Sequence, residues 1–225
     1  MKLIDDENLE NLENLESRGG AVERAADAIR GLVISRELFP GQQLGQEELA
    51  LRIGVSRGPT REALQSLSKE GLVTHSRNRG YTVTRFNFSE MEQLYTLRDL
   101  VETEVLRNVP APNEIQLSNL RAINDRIRNP ATSLEEAMRL NHDFHFAIFA
   151  LSPYGLIVKE IERLWKMSMA YRALGMGVWS VRAAMMGDAH EDQIQALVDQ
   201  DHERLVELSR QHRWVSLKRL EGLLR

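Results

Sequence analysis

The chain has 225 residues, with 42% apolar and 28% charged side chains and a formal net charge of −4, a profile that fits one large globular domain or two smaller ones. Its apolar runs fall well short of a membrane span, no apolar core follows the first residues as a signal peptide would require, and zero cysteines exclude disulfides and thiolate zinc sites. The reducing cytoplasm is therefore the expected location, with no membrane partner.

The charge is unevenly spread. Residues 1–20 carry two Lys/Arg against six Asp/Glu, residues 21–85 ten against seven, and residues 86–225 seventeen against twenty. A basic segment inside an acidic chain points to a polyanionic partner.

In chain order, Asn8–Glu16 repeats the unit Asn-Leu-Glu. Apolar residues at every third position are too close for a coiled-coil seam. Residues 1–20 read as an acidic tail, disordered or loosely helical, ending at Arg18-Gly19-Gly20; the sharper alternative is a strip that competes with DNA for the basic segment. Residues 21–36 set Val22, Ala25, Ala26, Ile29, Leu32 and Val33 on one helical stripe, and Pro40-Gly41 breaks it. A short helix follows over 46–53, burying Leu49, Ala50 and Ile53 and ending at Gly54. Ser56 can cap a third helix, with Pro59 in its first turn, where amides lack helical partners, and Gly71 as its stop. The period then changes to two. LVTHS and YTVTR flank Arg77-Asn78-Arg79-Gly80, which gives a β-hairpin with a basic tip. Three helices and such a hairpin describe a winged helix-turn-helix over 21–85.

From residue 89 the pattern is all helical, with helices expected near 89–108, 113–128, 133–151, 155–174, 188–199 and 201–222, and capping-box spacing at Ser89/Glu92 and Ser133/Glu136. Residues 175–187 are ambiguous. The fold class is mainly α: an N-terminal winged helix-turn-helix followed by an all-α bundle over 86–225.

Arg57 and Arg61 sit four apart at the start of the third helix, where a recognition helix meets base edges. An arginine fork matches guanine O6/N7 or a phosphate. Gly58 allows close approach of the sugar-phosphate backbone, and Thr60 either faces the groove or packs underneath. Arg77 and Arg79, with Gly80 at the tip, can reach the minor groove or flanking phosphates. A solvated surface helix accounts for any one of these arginines, but poorly for the ordered set.

Five of the six histidines fall in the helical segment. Asn141 and His145 share a helix face with Met138, Ile148 and Phe149, toward the interior. His190 and His212 lie about equally far before and after a turn at Gln200-Asp201, so an antiparallel pair would put them level. Three imidazoles and one oxygen donor suit zinc, nickel or manganese; by spacing alone, separately hydrogen-bonded histidines account for them equally well. The stripe Leu164, Trp165 and Met169 reads as core or dimer face.

The segment LGQEELALRIGVSRGPTREALQSLSKEGLV with RNRGYTV resembles the winged helix of GntR-type bacterial transcription regulators over about 21–85. LRDLVE, NHDFHFAIFALSPYG and HEDQIQALVDQD with RQH resemble the FadR C-terminal ligand-binding domain over 86–215. The first resemblance implies operator-reading roles for Arg57 and Arg61 and a wing tip at Gly80. It departs at Glu47, often arginine in the family, and at Thr60, usually valine. The second implies a divalent metal held by Asn141, His145, His190 and His212, with asparagine where aspartate is common, and surface positions for His142 and His202. It also implies an effector cavity reached by Arg98, with Tyr171 and Arg172 as further candidates; a plain Arg98–Glu102 pair on one helix is the alternative.

Together these readings imply a homodimeric repressor of a pseudo-palindromic operator that answers to a small carboxylate. The alternatives are an architectural DNA-binding protein without an effector, and a metal-dependent enzyme carrying a DNA-binding head.

Overall fold

The computed structural model describes residues 6–176 and 179–224. The chain divides into two compact units. One holds the chain up to Val33 with Glu37–Thr84, the other Ile34–Arg36 with the chain from Arg85 onward.

In the first unit, helix α1 (Asp6–Ile34) is followed by β1 (Gln43–Leu44), α2 (Gln46–Ile53), α3 (Arg57–Lys69), β2 (Val73–Ser76) and β3 (Gly80–Val83). Helix α1 starts well before residue 21 and passes through Gly19-Gly20 without a break. Its Ala25, Ala26, Ile29 and Val33 are buried, as are Leu49, Ala63, Leu64 and Leu67 of α2 and α3 and Val73, Tyr81 and Val83 of the sheet. Arg30 clamps α1 to the end of α3 through both carboxylate oxygens of Glu70, at 2.8 and 3.0 Å.

Gly54 takes φ +66° at the end of α2, a left-handed cap that only glycine adopts without strain, and its N–H turns back to Ala50 and Leu51. That sharp turn aims α3. Ser56 occupies the N-cap of α3 as expected, but its side chain makes no capping bond. The hairpin pairs Val73–Ser76 with Gly80–Val83 in antiparallel register. A third strand, β1, completes the order β1-β3-β2 by pairing Gln43 with Thr82 and Leu44 with Tyr81. Two residues are too few to show alternation, so the sequence carried no sign of β1.

The second unit is all helical after its linker: α4 (Phe88–Leu106), α5 (Glu114–Arg128), α6 (Leu134–Phe149), α7 (Gly155–Met167), α8 (Met169–Met176), α9 (Trp179–Val198) and α10 (His202–Leu224). Helix α5 packs on α6 and α9, α10 on α4, α8 and α9, and α4 on α7. Phe144, Phe149, Leu120, Ile127, Ile161 and Leu205 fill the core between them.

Several boundaries move. Asn87, not Ser89, caps α4: its side chain accepts from the Glu90 N–H, and Glu90 accepts from the Asn87 N–H. Asparagine caps as well as serine, so the motif sits two residues earlier. A second full box, Asn113 with Gln116, opens α5. Ser133 accepts from the Glu136 N–H, which is half of the expected box. The helix expected over 155–174 splits at Ser168, whose hydroxyl bonds back to the Trp165 carbonyl at 3.0 Å. Much of the ambiguous stretch belongs to α9, which begins at Trp179. Among the described residues no helix is long and apolar enough to cross a membrane.

Candidate functional site

The candidate site residues fall in two regions, one in each unit. In the first, Arg57 and Arg61 are exposed on the opening turns of α3. No acidic residue lies in that first turn to offset the positive end of the helix. Arg57 is ion-paired with Glu47 of α2. Among the described residues nothing fills the space beside Gly58. Thr60, by contrast, is fully buried, and its hydroxyl donates to the Ser56 carbonyl at 2.9 Å. It packs beneath the helix and offers nothing to a groove, because it shares the face of Ala63, Leu64 and Leu67. Arg77 and Arg79 are exposed at the hairpin turn. Gly80 there has φ +67°, and the Arg79 carbonyl accepts from Gln43 Nε2 at 2.9 Å.

In the second unit, His145 from α6, His190 from α9 and His212 from α10 converge. Their ring centres are 5.1 to 5.2 Å apart pairwise, and one ring nitrogen from each lies within 4.8 Å of the others. The level placement of His190 and His212 expected from the turn is present. Phe144 stacks on His190 at 4.0 Å and fixes its plane.

Burial drives His145 and His190 well below the usual histidine value, and the neighbouring imidazoles add to this. Burial, then Arg213, brings His212 down to about 4. All three are thus neutral at pH 7 and keep a lone pair for a metal. Asn141 Oδ1, His145 Nε2 and both ring nitrogens of His190 are buried without any hydrogen-bond partner. Orphaned polar atoms of this kind call for a missing partner. Three imidazoles and an amide oxygen fit a divalent ion of the zinc, nickel or manganese type.

Asn141, His145 and His212 also line a cavity with Arg98, Arg172 and Trp165. Arg98 is buried and enters it, yet it also makes the helix pair with Glu102, at 2.9 Å. Glu102 further accepts from Trp165 Nε1 at 2.8 Å and Arg213 Nη1 at 2.6 Å. Burial alone would raise Glu102, but Arg98 and Arg213 outweigh it and hold the carboxyl below its usual range. Asp99 is likewise held low against partial burial by Arg213 and Arg210.

Tyr171 does not line this cavity. Its hydroxyl accepts from the Phe86 N–H at 2.5 Å and donates to the Phe86 carbonyl at 3.0 Å, which anchors the segment entering α4. His142 and His202 are half-buried rather than at the surface. His142 stacks on Phe146 at 4.1 Å, and His202 bonds the Val109 carbonyl at 2.9 Å.

Trp165 and Arg213 are site residues that the sequence did not reveal. Trp165 carries the guanidinium groups of Arg98 and Arg172, each 4.4 Å from its ring centre. The available signal for Arg213 was that Asp99 and Glu102, three apart in α4, had only Arg98 nearby to answer two acids. Asp143, a carboxylate two residues from His145 in sequence, is half-exposed and bonds Arg139 at 3.0 Å.

Residues 21–83 match the family model of bacterial regulatory proteins, gntR family, and residues 93–213 match the FCD domain. An Nta operon transcriptional regulator of Aminobacter aminovorans is 27% identical over 59% of this chain, and the match spans 64% of that protein, so the chain covers just under two thirds of its length. An uncharacterized HTH-type transcriptional regulator, BphR, of Paraburkholderia xenovorans is 29% identical over 91% of this chain and 87% of its own. The solved structure of E. coli McbR/YncC superposes with a TM-score of 0.74 at 18% identity, covering 91% of this chain and 96% of that one, a likeness of fold.

Proposed function

Since the chain belongs to the GntR family of bacterial regulatory proteins and carries an FCD domain, a family of regulators and not of enzymes, we propose that it is a homodimeric transcriptional repressor working in the cytoplasm. Each protomer reads one half of a pseudo-palindromic operator, since two-fold protein symmetry is mirrored in the DNA. Arg57 and Arg61 contact base edges, Gly58 admits the backbone, and Arg77 and Arg79 with Gly80 hold the flanking duplex. A small carboxylate effector enters the cavity of the helical unit and changes operator affinity.

The observation that carries the effector half is the convergence of three imidazoles, two buried and one half-buried, with a buried amide oxygen that has no partner among the described residues; Asn141, His145 and His212 of this set line an arginine-bearing cavity. Asn141, His145, His190 and His212 would hold a divalent ion. Such an ion supplies a Lewis-acidic centre to which an anionic ligand can bind.

The test is the metal content of protein purified without a histidine tag, for wild type and His190→Ala side by side. About one metal per chain, lost in the variant, is the expected result. Absence of metal from both after soaking with zinc, nickel and manganese removes the metal from the proposal.

A further inference from the structure

The buried charges around the cavity do not balance. Arg98 and Arg213 meet Glu102 and Asp99, two cations against two carboxylates. Arg172 has no such counterpart. Its Nη2 reaches only the Trp165 carbonyl at 3.3 Å, and its Nε and Nη1 are buried without a hydrogen-bond partner. Burial, then Arg98, pushes Arg172 down to about 9, which still leaves it charged at pH 7. Asn141 faces the same cavity as a neutral amide and adds no counter-charge.

Arg219 also lines the cavity, and no hydrogen bond or ion pair holds it among the described residues. Burial and the neighbouring Arg182 lower its affinity for the proton as well. Arg219 is half-buried; Arg172 is the desolvated cation of the two, and such cations are kept in folded proteins where something supplies the opposite charge.

Shape adds a second constraint. The inner space beside Arg172 is about 40 Å³, enough for a carboxylate-sized group but not for a whole metabolite. Met186, His212, Ser216 and Arg219 are shared with an adjoining outer space of about 260 Å³, where Asp192 is the one carboxylate on the wall. Of the guanidinium groups without a carboxylate partner, Arg172 thus lines only the smaller space, Arg219 lines both, and Arg182, which bonds the Gly175 carbonyl, lines the outer one.

We propose that the effector is an elongated dicarboxylate, its inner acid group against Arg172 and its outer one against Arg219. Charge-assisted hydrogen bonds to the free guanidinium nitrogens supply the affinity. Both arginines then distinguish a dianion from a monoanion of the same length. This rests on the effector-cavity reading above.

Calorimetric titration compares succinate, glutarate and adipate with butyrate. Wild type is expected to bind the best dicarboxylate at least about tenfold tighter than butyrate, since one added charge-assisted contact is enough for that ratio. Arg172→Gln and Arg219→Gln each bring the ratio near one, Arg172→Lys retains part of it, and Arg121→Gln, exposed on α5, leaves it intact. Ligand-free Arg172→Gln should melt no lower than wild type, because a desolvated charge is removed; Arg219→Gln gives the same reading should Arg172→Gln not fold.

Equal affinity for mono- and dicarboxylates, binding of neither, or a preference that survives both glutamine variants overturns the proposal. Operator affinity, measured on a site selected from random DNA, separates this from the regulatory reading. Dicarboxylate binding without a change in operator affinity sinks the effector role and leaves the ligand class. An operator response without dicarboxylate binding does the reverse.

Discussion

Arg57 and Arg61 sit on the first two turns of α3, exposed, with a neighbouring glycine that leaves open space. Truncating either to alanine removes a surface side chain, so stability should stay within about 0.5 kcal/mol. Specific operator binding should fall by about 1–3 kcal/mol per lost base contact; an unchanged footprint in both variants would mean that α3 is not the reading helix. Glu102 behaves oppositely, since it is buried and answers Arg98, Arg213 and Trp165. Glu102→Gln leaves two buried guanidinium groups short of one charge, and a loss of about 3–5 kcal/mol is expected by urea denaturation. Because the folded carboxyl titrates below its ordinary value, its contribution is complete above about pH 4.3 and is lost as pH falls through the folded value. Wild type should therefore lose stability more steeply than the glutamine variant as the medium is acidified below about pH 4. Equal slopes would show that this carboxyl is not held low.

Element by element, the caps and turns follow local chemistry that can be tested locally. Asn87→Ala should cost about 1 kcal/mol because the Glu90 N–H at the start of α4 loses its side-chain partner. Ser89→Ala, two residues along the exposed first turn, should cost almost nothing. The reverse order would restore the cap to Ser89. Gly54→Ala forces a Cβ into the left-handed region between α2 and α3, at about 1–2 kcal/mol, and should weaken operator binding as well, because that turn aims α3. Periodicity carried α2, α3, the hairpin and most of the bundle. It failed where its own signal is shortest: β1 has two residues, and the break at Ser168 lies inside an unbroken apolar stripe.

For the whole molecule, the proposed effector and operator would be linked through one chain. If a ligand in the helical unit lowers operator affinity by some factor, operator DNA must lower ligand affinity by the same factor. Titrating the dicarboxylate with and without saturating operator, and the operator with and without dicarboxylate, should give equal ratios. Unequal ratios at equilibrium would mean that the two bindings do not occur on one linked species.

The sequence by itself determined most of the order of elements, the helix-turn-helix with its basic tip, and three histidines that the structure brings together as a candidate metal site. The helices and the hairpin are written in spacing, 3.6 and 2, and matched distances about one turn put His190 and His212 level; it is the resemblance to the FadR C-terminal domain that joined them with Asn141 and His145 as one ligand set. Only the tertiary structure decided which side chains are spoken for. Thr60 and Tyr171 are candidates by type, yet each is satisfied by a backbone carbonyl. Trp165 is core, as its stripe suggested, and is a cavity wall as well. Arg98 and Arg172 are alike on paper; one is neutralised by Glu102 and the other is left bare. A residue's charge is fixed by its identity, but its counter-charge comes from helices far apart in the chain, and spacing along one helix cannot report them.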